Sequence, residues 1–196
     1  GAIAYYRSTG KRRFLDIMCR YVDLIDRTFG PNPGQIHGYD GHEEIELALL
    51  RLFDVTGDRR HLELARYFVE ERGREPHFFH EQWEALGRRS HWKGTQVSKP
   101  SLAYFQSHVP VREQTEAAGH AVRAVYLYTA MADLARRTAD AELSATCEAL
   151  WRNVTRRQMY VTGGIGSTHD GEAFTFDYDL PNETAYAETC ASIGLV

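Results

Sequence analysis

Five stretches of this chain repeat apolar residues at the 3.6-residue helical period, and this pattern limits the fold more than any other feature. Residues 11–29 place Phe14, Leu15, Met18, Cys19, Val22 and Ile25 on one stripe. Residues 42–55 do the same with Ile45, Leu49 and Leu52, and residues 62–71 with Leu64, Ala65, Phe68 and Val69. The Thr-Gly-Asp link between those two stretches is short, so they pair as an antiparallel helical hairpin. Residues 115–136 follow, with Ala117, His120, Ala124, Leu127 and Met131 on one side. Residues 139–156 close the series, with Leu143, Cys147, Leu150, Trp151 and Val154 inward. No strand of convincing length precedes Met159, which excludes doubly wound and sandwich folds. The chain reads as all-α, built of helical hairpins. A fixed-period repeat is lacking, so an α-toroid is preferred to a solenoid.

Between the hairpins lie two irregular stretches. Residues 30–41 (GPNPGQIHGYDG) must be loop, because proline and glycine cannot continue a helix, and Asp40 is placed to cap the helix that follows. Residues 73–112 are rich in aromatics and histidine without sustained periodicity, and a loop of that length often lines a binding site.

Composition narrows the function classes. At 196 residues the chain is one domain or part of a larger one, and its 43% hydrophobic content can fill a core. A net charge of -4 without a basic block gives no electrostatic footprint for nucleic acid. No apolar run approaches the roughly 18–20 residues that cross a bilayer. The first residues have neither an initiator Met nor the order of a signal peptide, and both ends read as cut through structure. Three scattered cysteines form no disulfide framework and suggest thiols kept reduced, in a cytoplasmic setting.

The residues able to do chemistry are few. His42 lies three and seven residues before Ile45 and Leu49 and so shares their inward face, where a structural histidine is the ordinary occupant. The neighbouring His42-Glu43 is no zinc-protease motif, because position 46 is Glu. His120 stands among small residues in AAGHA, open either to a helix contact or to a ligand. Gly119, read as helix interior, costs about 1 kcal/mol against Ala and hints at close approach. The GGIGST run lacks the ending of a phosphate loop and serves instead to turn His169, Asp170 and Glu172 toward a common space. Glu188 and Cys190 would diverge on a helix but share one side of an extended segment. Both are acceptable zinc ligands, yet a zinc site needs three or four, so a surface Glu beside a buried Cys is the simpler reading.

Three motifs change this balance. GHEEIELALLRLFDVTGD, VREQTEAAGHAVRAVYLY and TGGIGSTHDGEAFTFDYDLPNETAYAETCASIG together resemble glycoside hydrolase family 127, whose best-known members are β-L-arabinofuranosidases. The resemblance runs over nearly the whole chain. It implies a catalytic (α/α)6 barrel followed by β-sandwich domains. Residues 1–196 are then a fragment of that barrel, truncated at both ends and without the β domains. It further implies that Glu172 is the general acid/base, that Glu188 and Cys190 are two ligands of a zinc ion, and that His120 and His42 touch the sugar. An adjacent cysteine pair completes the family's zinc site and supplies the nucleophile of a retaining, double-displacement reaction through a thioglycosyl intermediate. That pair does not occur in this sequence, so the zinc site is incomplete and these residues alone are expected to be inactive.

The expected partner is an arabinose-containing oligosaccharide or glycoconjugate, with no nucleic acid and no membrane; sugar, linkage and oligomeric state are left open. Two other readings stand beside this one. Sugar 2-epimerases also use (α/α)6 barrels with paired histidines, and His42 and His120 would play those parts. A helical scaffold that binds carbohydrate without catalysis is the other.

Overall fold

The computed structural model describes residues 1–90 and 94–196. Helix dominates it, as the periodicity requires. α1 (Ala2–Thr9) and α2 (Arg13–Thr28) form a first hairpin, α3 (Ile45–Thr56) and α4 (Arg59–Glu71) a second, and α6 (Ala121–Thr138) and α7 (Ala141–Asn153) a third. α5 (Phe78–Ala85) and α8 (Thr189–Leu195) are short, and β1 (Gly119–His120) pairs antiparallel with β2 (Ala173–Phe174).

The hairpin links are built from the residue types their geometry demands. Gly57 takes the left-handed conformation that closes α3, and the Asp58 carboxylate then accepts from the Arg60 amide to start α4. Ala139 and Asp140 repeat the arrangement between α6 and α7, with Asp140 accepting from the Leu143 amide. Arg112 ties this second link to α4, donating to both Glu70 and Asp140.

The main core runs through α2, α3, α4, α6 and α7, with Leu15, Leu49, Leu50, Phe68, Leu127, Met131, Leu143 and Leu150 fully buried. At roughly 1.5–3 kcal/mol for each fully buried large apolar side chain, this cluster is the chief stabilising element. A smaller cluster joins Ala117, Ala121, Val125, Val154, Ile165, Phe174 and Ala191. It packs the glycine-rich segment and α8 against the start of α6.

Several expectations are corrected. α1 carries no strong apolar stripe and was not foreseen. Phe14 is 45% exposed and Trp151 52% exposed, although both were assigned inward stripes. α2 presents Phe14, Ile17, Tyr21 and Leu24 to solvent. α7 stops at Asn153, where a wide turn over Val154–Gln158 takes over. α3 begins at Ile45 and not at residue 42, and Asp40 caps nothing: its carboxylate accepts from Arg72. α6 begins at Ala121 and not at residue 115, so Gly119 is not a helix interior. The stretch expected as loop over 73–112 contains α5 and two single 3-10 turns, Ala103–Phe105 and Val111–Glu113; residues 91–93 of it lie outside the described residues.

Candidate active site

Gly119 decides where His120 stands. Its φ of 70° is one that L side chains rarely adopt, and a Cβ there would overlap the carbonyl of Ala103. The chain can therefore pass tightly under residues 103–104 only with glycine at this point. Across the two-stranded pairing, His120 is opposite Ala173 and Gly119 opposite Phe174. The glycine-rich segment is pulled in against α6 in the same way: a Cβ on Gly166 would meet that of Ala121 at 3.1 Å.

These two close approaches bring His120 and Glu172 together, with Nε2 of the imidazole 3.1 Å from Oε2 of the carboxyl. The other carboxyl oxygen, Oε1, accepts from the hydroxyl of Tyr186 at 3.0 Å. Glu172 itself has φ 51°, a left-handed conformation that costs a non-glycine residue of order 1–3 kcal/mol. Neighbouring turns hold it there, and such strain collects at functional sites. The Glu172 side chain stays 43% exposed, open to a ligand, while that of His120 is 7% exposed.

His120 is oriented from its other side as well. It caps α6, and its Nδ1 accepts from the Arg123 amide at 3.3 Å. Its ring meets Tyr104 edge-on at 5.2 Å and His42 edge-on at 6.0 Å. The Arg123 guanidinium lies 4.2 Å from the Tyr104 ring centre, so cation and aromatic face brace one wall. Burial, then the nearby Arg123 charge, push the pKa of His120 below the usual histidine range, and Glu172 opposes this. His42 is lowered by the same two causes. Its route to the site differs from that expected, because it sits in the turn before α3 and not on the helix's inward face.

Beneath His42 lies a buried ion cluster. Arg72, completely buried, donates to Glu43 at 2.8 Å, Asp40 at 2.7 Å, Glu46 at 3.1 Å and the Phe105 carbonyl at 3.0 Å. One guanidinium thus fastens the His42 turn to the 103–105 turn that carries Tyr104. Three carboxyls surround Arg72, with Arg123 4.0 Å from Glu43, which leaves an excess of acid in a largely buried place. Burial pushes the Asp40 carboxyl up to about 9, with Glu46 adding to the effect, and burial pushes Glu43 up to about 7.

Glu188 and Cys190 stand at the junction of the two geometries weighed for them, extended and helical. Glu188 is the extended residue that starts α8, and Cys190 is in that helix's first turn. Cys190 is exposed, and the adjoining Glu188 carboxylate raises its thiol's pKa. Oε2 of Glu188 is buried with no hydrogen-bond partner. A carboxylate oxygen left dry beside a thiol is the donor set of half a zinc site, so the two residues fit that metal. Among the described residues, no group of three or more His, Cys, Asp and Glu side chains could hold a metal ion.

The other residues singled out in the sequence do not join the site. His169 and Asp170, expected to share a space with Glu172, are exposed. Sequence reasoning missed Tyr186, Tyr104, Arg123 and Arg72. Two of them left a signal: Tyr104 lies in the aromatic-rich 73–112 stretch expected to line a binding site, and Tyr186 stands two residues before Glu188.

The chain as a whole resembles known proteins in sequence and fold. All of residues 1–196 match the family model described as "Beta-L-arabinofuranosidase, GH127 catalytic domain". The chain is 46% identical over 194 residues to a non-reducing end β-L-arabinofuranosidase from Bifidobacterium longum subsp. longum, covering 99% of this chain and 29% of that protein. A crystal structure of a GH127 β-L-arabinofuranosidase from Geobacillus stearothermophilus T6 superposes with a TM-score of 0.91 at 57% identity, over 98% of this chain and 30% of that one. A further GH127 β-arabinofuranosidase structure gives 0.82 at 41% identity, over 98% of this chain and 27% of that one. The chain spans about three-tenths of the length of these relatives. It belongs to glycoside hydrolase family 127, and its residues are part of that family's catalytic domain.

Proposed function

We propose that the protein to which these residues belong hydrolyses β-L-arabinofuranosyl linkages with retention of anomeric configuration, and that Glu172 is its general acid and then its base. The observation that carries this reading is the clamped yet accessible Glu172 carboxyl, bound on one oxygen by His120 and on the other by Tyr186. Glu172 protonates the departing oxygen and later takes a proton from the incoming water. His42 and His120, both held toward the neutral form by burial, contact the sugar as neutral rings, His120 without its nitrogens, which Glu172 and the Arg123 amide already engage. An arabinose-containing oligosaccharide or glycoconjugate is the proposed substrate.

Glu188 and Cys190 would hold zinc together with two further ligands. Zinc there would supply the positive charge that keeps a coordinated thiol ionised. The proposed nucleophile is a cysteine of the same protein outside these 196 residues, which alone are proposed to be inactive. Neither remaining thiol suits the role: burial raises the pKa of Cys19 and pushes that of Cys147 up to about 11, and both pack against the core.

The three hairpins are proposed to be part of an (α/α)6 barrel, and the outward apolar stripe on α2 supports further helices packing there. Among the described residues, no helix is long and apolar enough to cross a membrane. The proposed location is cytoplasmic, in keeping with three free thiols. The epimerase reading draws support from His42 and His120 standing 6.0 Å apart, but it leaves Glu172, Glu188 and Cys190 without a role.

Product configuration tests the proposal. Full-length protein is mixed with an aryl β-L-arabinofuranoside, and the first-formed sugar is followed by proton NMR before mutarotation. The β anomer is expected first; the α anomer first, or no arabinose at all, would contradict the reading.

A further inference from the structure

The two oxygens of Glu172 are not equivalent, because their partners differ in what they can do. Nδ1 of His120 accepts from the Arg123 amide. In a neutral imidazole one nitrogen accepts and the other carries the hydrogen, so Nε2 is the N–H. A hydrogen on Nδ1 would face the Arg123 amide hydrogen, and burial together with Arg123 disfavours the charged ring. His120 is therefore a fixed donor, and Oε2 of Glu172 is a fixed acceptor. A proton on Oε2 would point at the Nε2 hydrogen across 3.1 Å.

Tyr186 has no such restriction. Its hydroxyl turns about the C–O bond, donating to Oε1 when the carboxyl is ionised and accepting from Oε1 when it is protonated. Its backbone is held independently of Glu172, since the Ala187 amide donates to the Gly166 carbonyl at 2.9 Å. Tyr186 is 37% exposed, so the Oε1 side of the carboxyl opens outward, while the Oε2 side is closed by the buried His120.

We infer that the proton Glu172 transfers is carried on Oε1, and that Tyr186 is the positioning residue that holds this proton on the outward-facing oxygen of the carboxyl until the glycosidic oxygen takes it. The inference rests on the acid/base reading of Glu172. In the first step the Oε1–H bond breaks and its electron pair stays on Oε1. The proton goes to the glycosidic oxygen, which also takes the electron pair of the breaking C1–O bond. A thiolate nucleophile supplies the pair to C1. The Tyr186 hydroxyl then rotates to donate to the new carboxylate. His120 keeps its hydrogen throughout.

A leaving-group comparison in the full-length enzyme separates this role from packing. Wild type, Tyr186→Phe and Glu172→Gln are assayed on a 4-nitrophenyl and an alkyl β-L-arabinofuranoside, reading kcat/KM. The 4-nitrophenolate departs with little protonation, whereas the alkoxide needs it. Tyr186→Phe is expected to lose about five- to tenfold on the alkyl substrate, the worth of one hydrogen bond, and clearly less on the aryl one. Equal losses on both substrates would make Tyr186 a packing residue, and no loss on either would remove it from the site; each overturns the inference. Glu172→Gln reports separately on the reading beneath it. If Glu172→Gln does not discriminate between the substrates, Glu172 is not the acid and both ideas fall. If it discriminates and Tyr186→Phe does not, only the inference falls.

Discussion

His120 and Glu172 lie 52 residues apart in sequence and 3.1 Å apart in space, joined because the residue after Glu172 pairs with His120 across a two-stranded sheet. His120 also caps α6 through Nδ1, so its two nitrogens serve two purposes. Asparagine would preserve the first and lose the second, because its side-chain oxygen is a good cap but cannot reach Glu172. His120→Asn in the full-length enzyme should lower kcat/KM on the order of a hundredfold, the usual cost of a misplaced catalytic group, with little change in melting temperature. A large fall in melting temperature with the same loss would assign His120 to the fold.

Gly119→Ala tests the close approach that sets this pairing. A methyl there meets the Ala103 carbonyl and must also adopt a φ of 70°. The conformational part alone costs roughly 1–2 kcal/mol, and displacement of the 103–105 turn adds to it. Thermal unfolding should show a drop of several degrees, with activity falling alongside. An Ala variant as stable and active as wild type would mean the turn yields freely.

The second and third hairpins were legible in the sequence because Leu49, Leu64, Phe68, Leu127 and Leu143 keep helical spacing and are all buried. The same spacing misled near the site. Ala117 and His120 are in phase with Ala124 and Leu127, yet the chain is not helical until Ala121, so Gly119 was placed in a helix interior. His42 was likewise carried onto α3 by its distance from Ile45 and Leu49. Periodicity records which residues face inward, not whether the backbone between them is helical. Glu172, Glu188 and Cys190 were legible only through a motif. The pairings that build and brace the site were not, because the His120–Glu172 and Arg72–Glu43 pairs join residues 52 and 29 positions apart, which no local pattern encodes.

The buried acids around Arg72 give stability a pH dependence of known sign. Asp40 has its folded pKa raised from 3.8 to about 9, so its contribution is complete below the unfolded value and is lost as pH rises toward 9. His42 and His120 have lowered folded pKa values, so their contribution is present above the ordinary value of 6.5 and is lost as pH falls below it. Melting temperature should therefore decline from pH 7 to pH 9. Asp40→Asn keeps an oxygen for Arg72 and cannot ionise, so it should flatten that decline. An unchanged slope in Asp40→Asn would place the titrating group elsewhere.

Metal content checks the Glu188–Cys190 pair. Purified full-length protein should contain about one zinc per chain by elemental analysis, the stoichiometry of a single four-ligand site. Cys190→Ser and Glu188→Gln should lower it. Zinc retained at the wild-type level in both variants would leave these residues with a packing role alone.

The most direct measurement is turnover of an alkyl β-L-arabinofuranoside by full-length enzyme with Glu172 intact and with Glu172→Gln. Glutamine fills the same space and still faces His120 and Tyr186, but it has no proton to give. A positioned proton transfer is worth roughly a hundred- to ten-thousand-fold in rate, and a loss of that size in an otherwise folded variant is the expected result. Turnover within a few-fold of wild type would contradict the assignment of Glu172 as the acid.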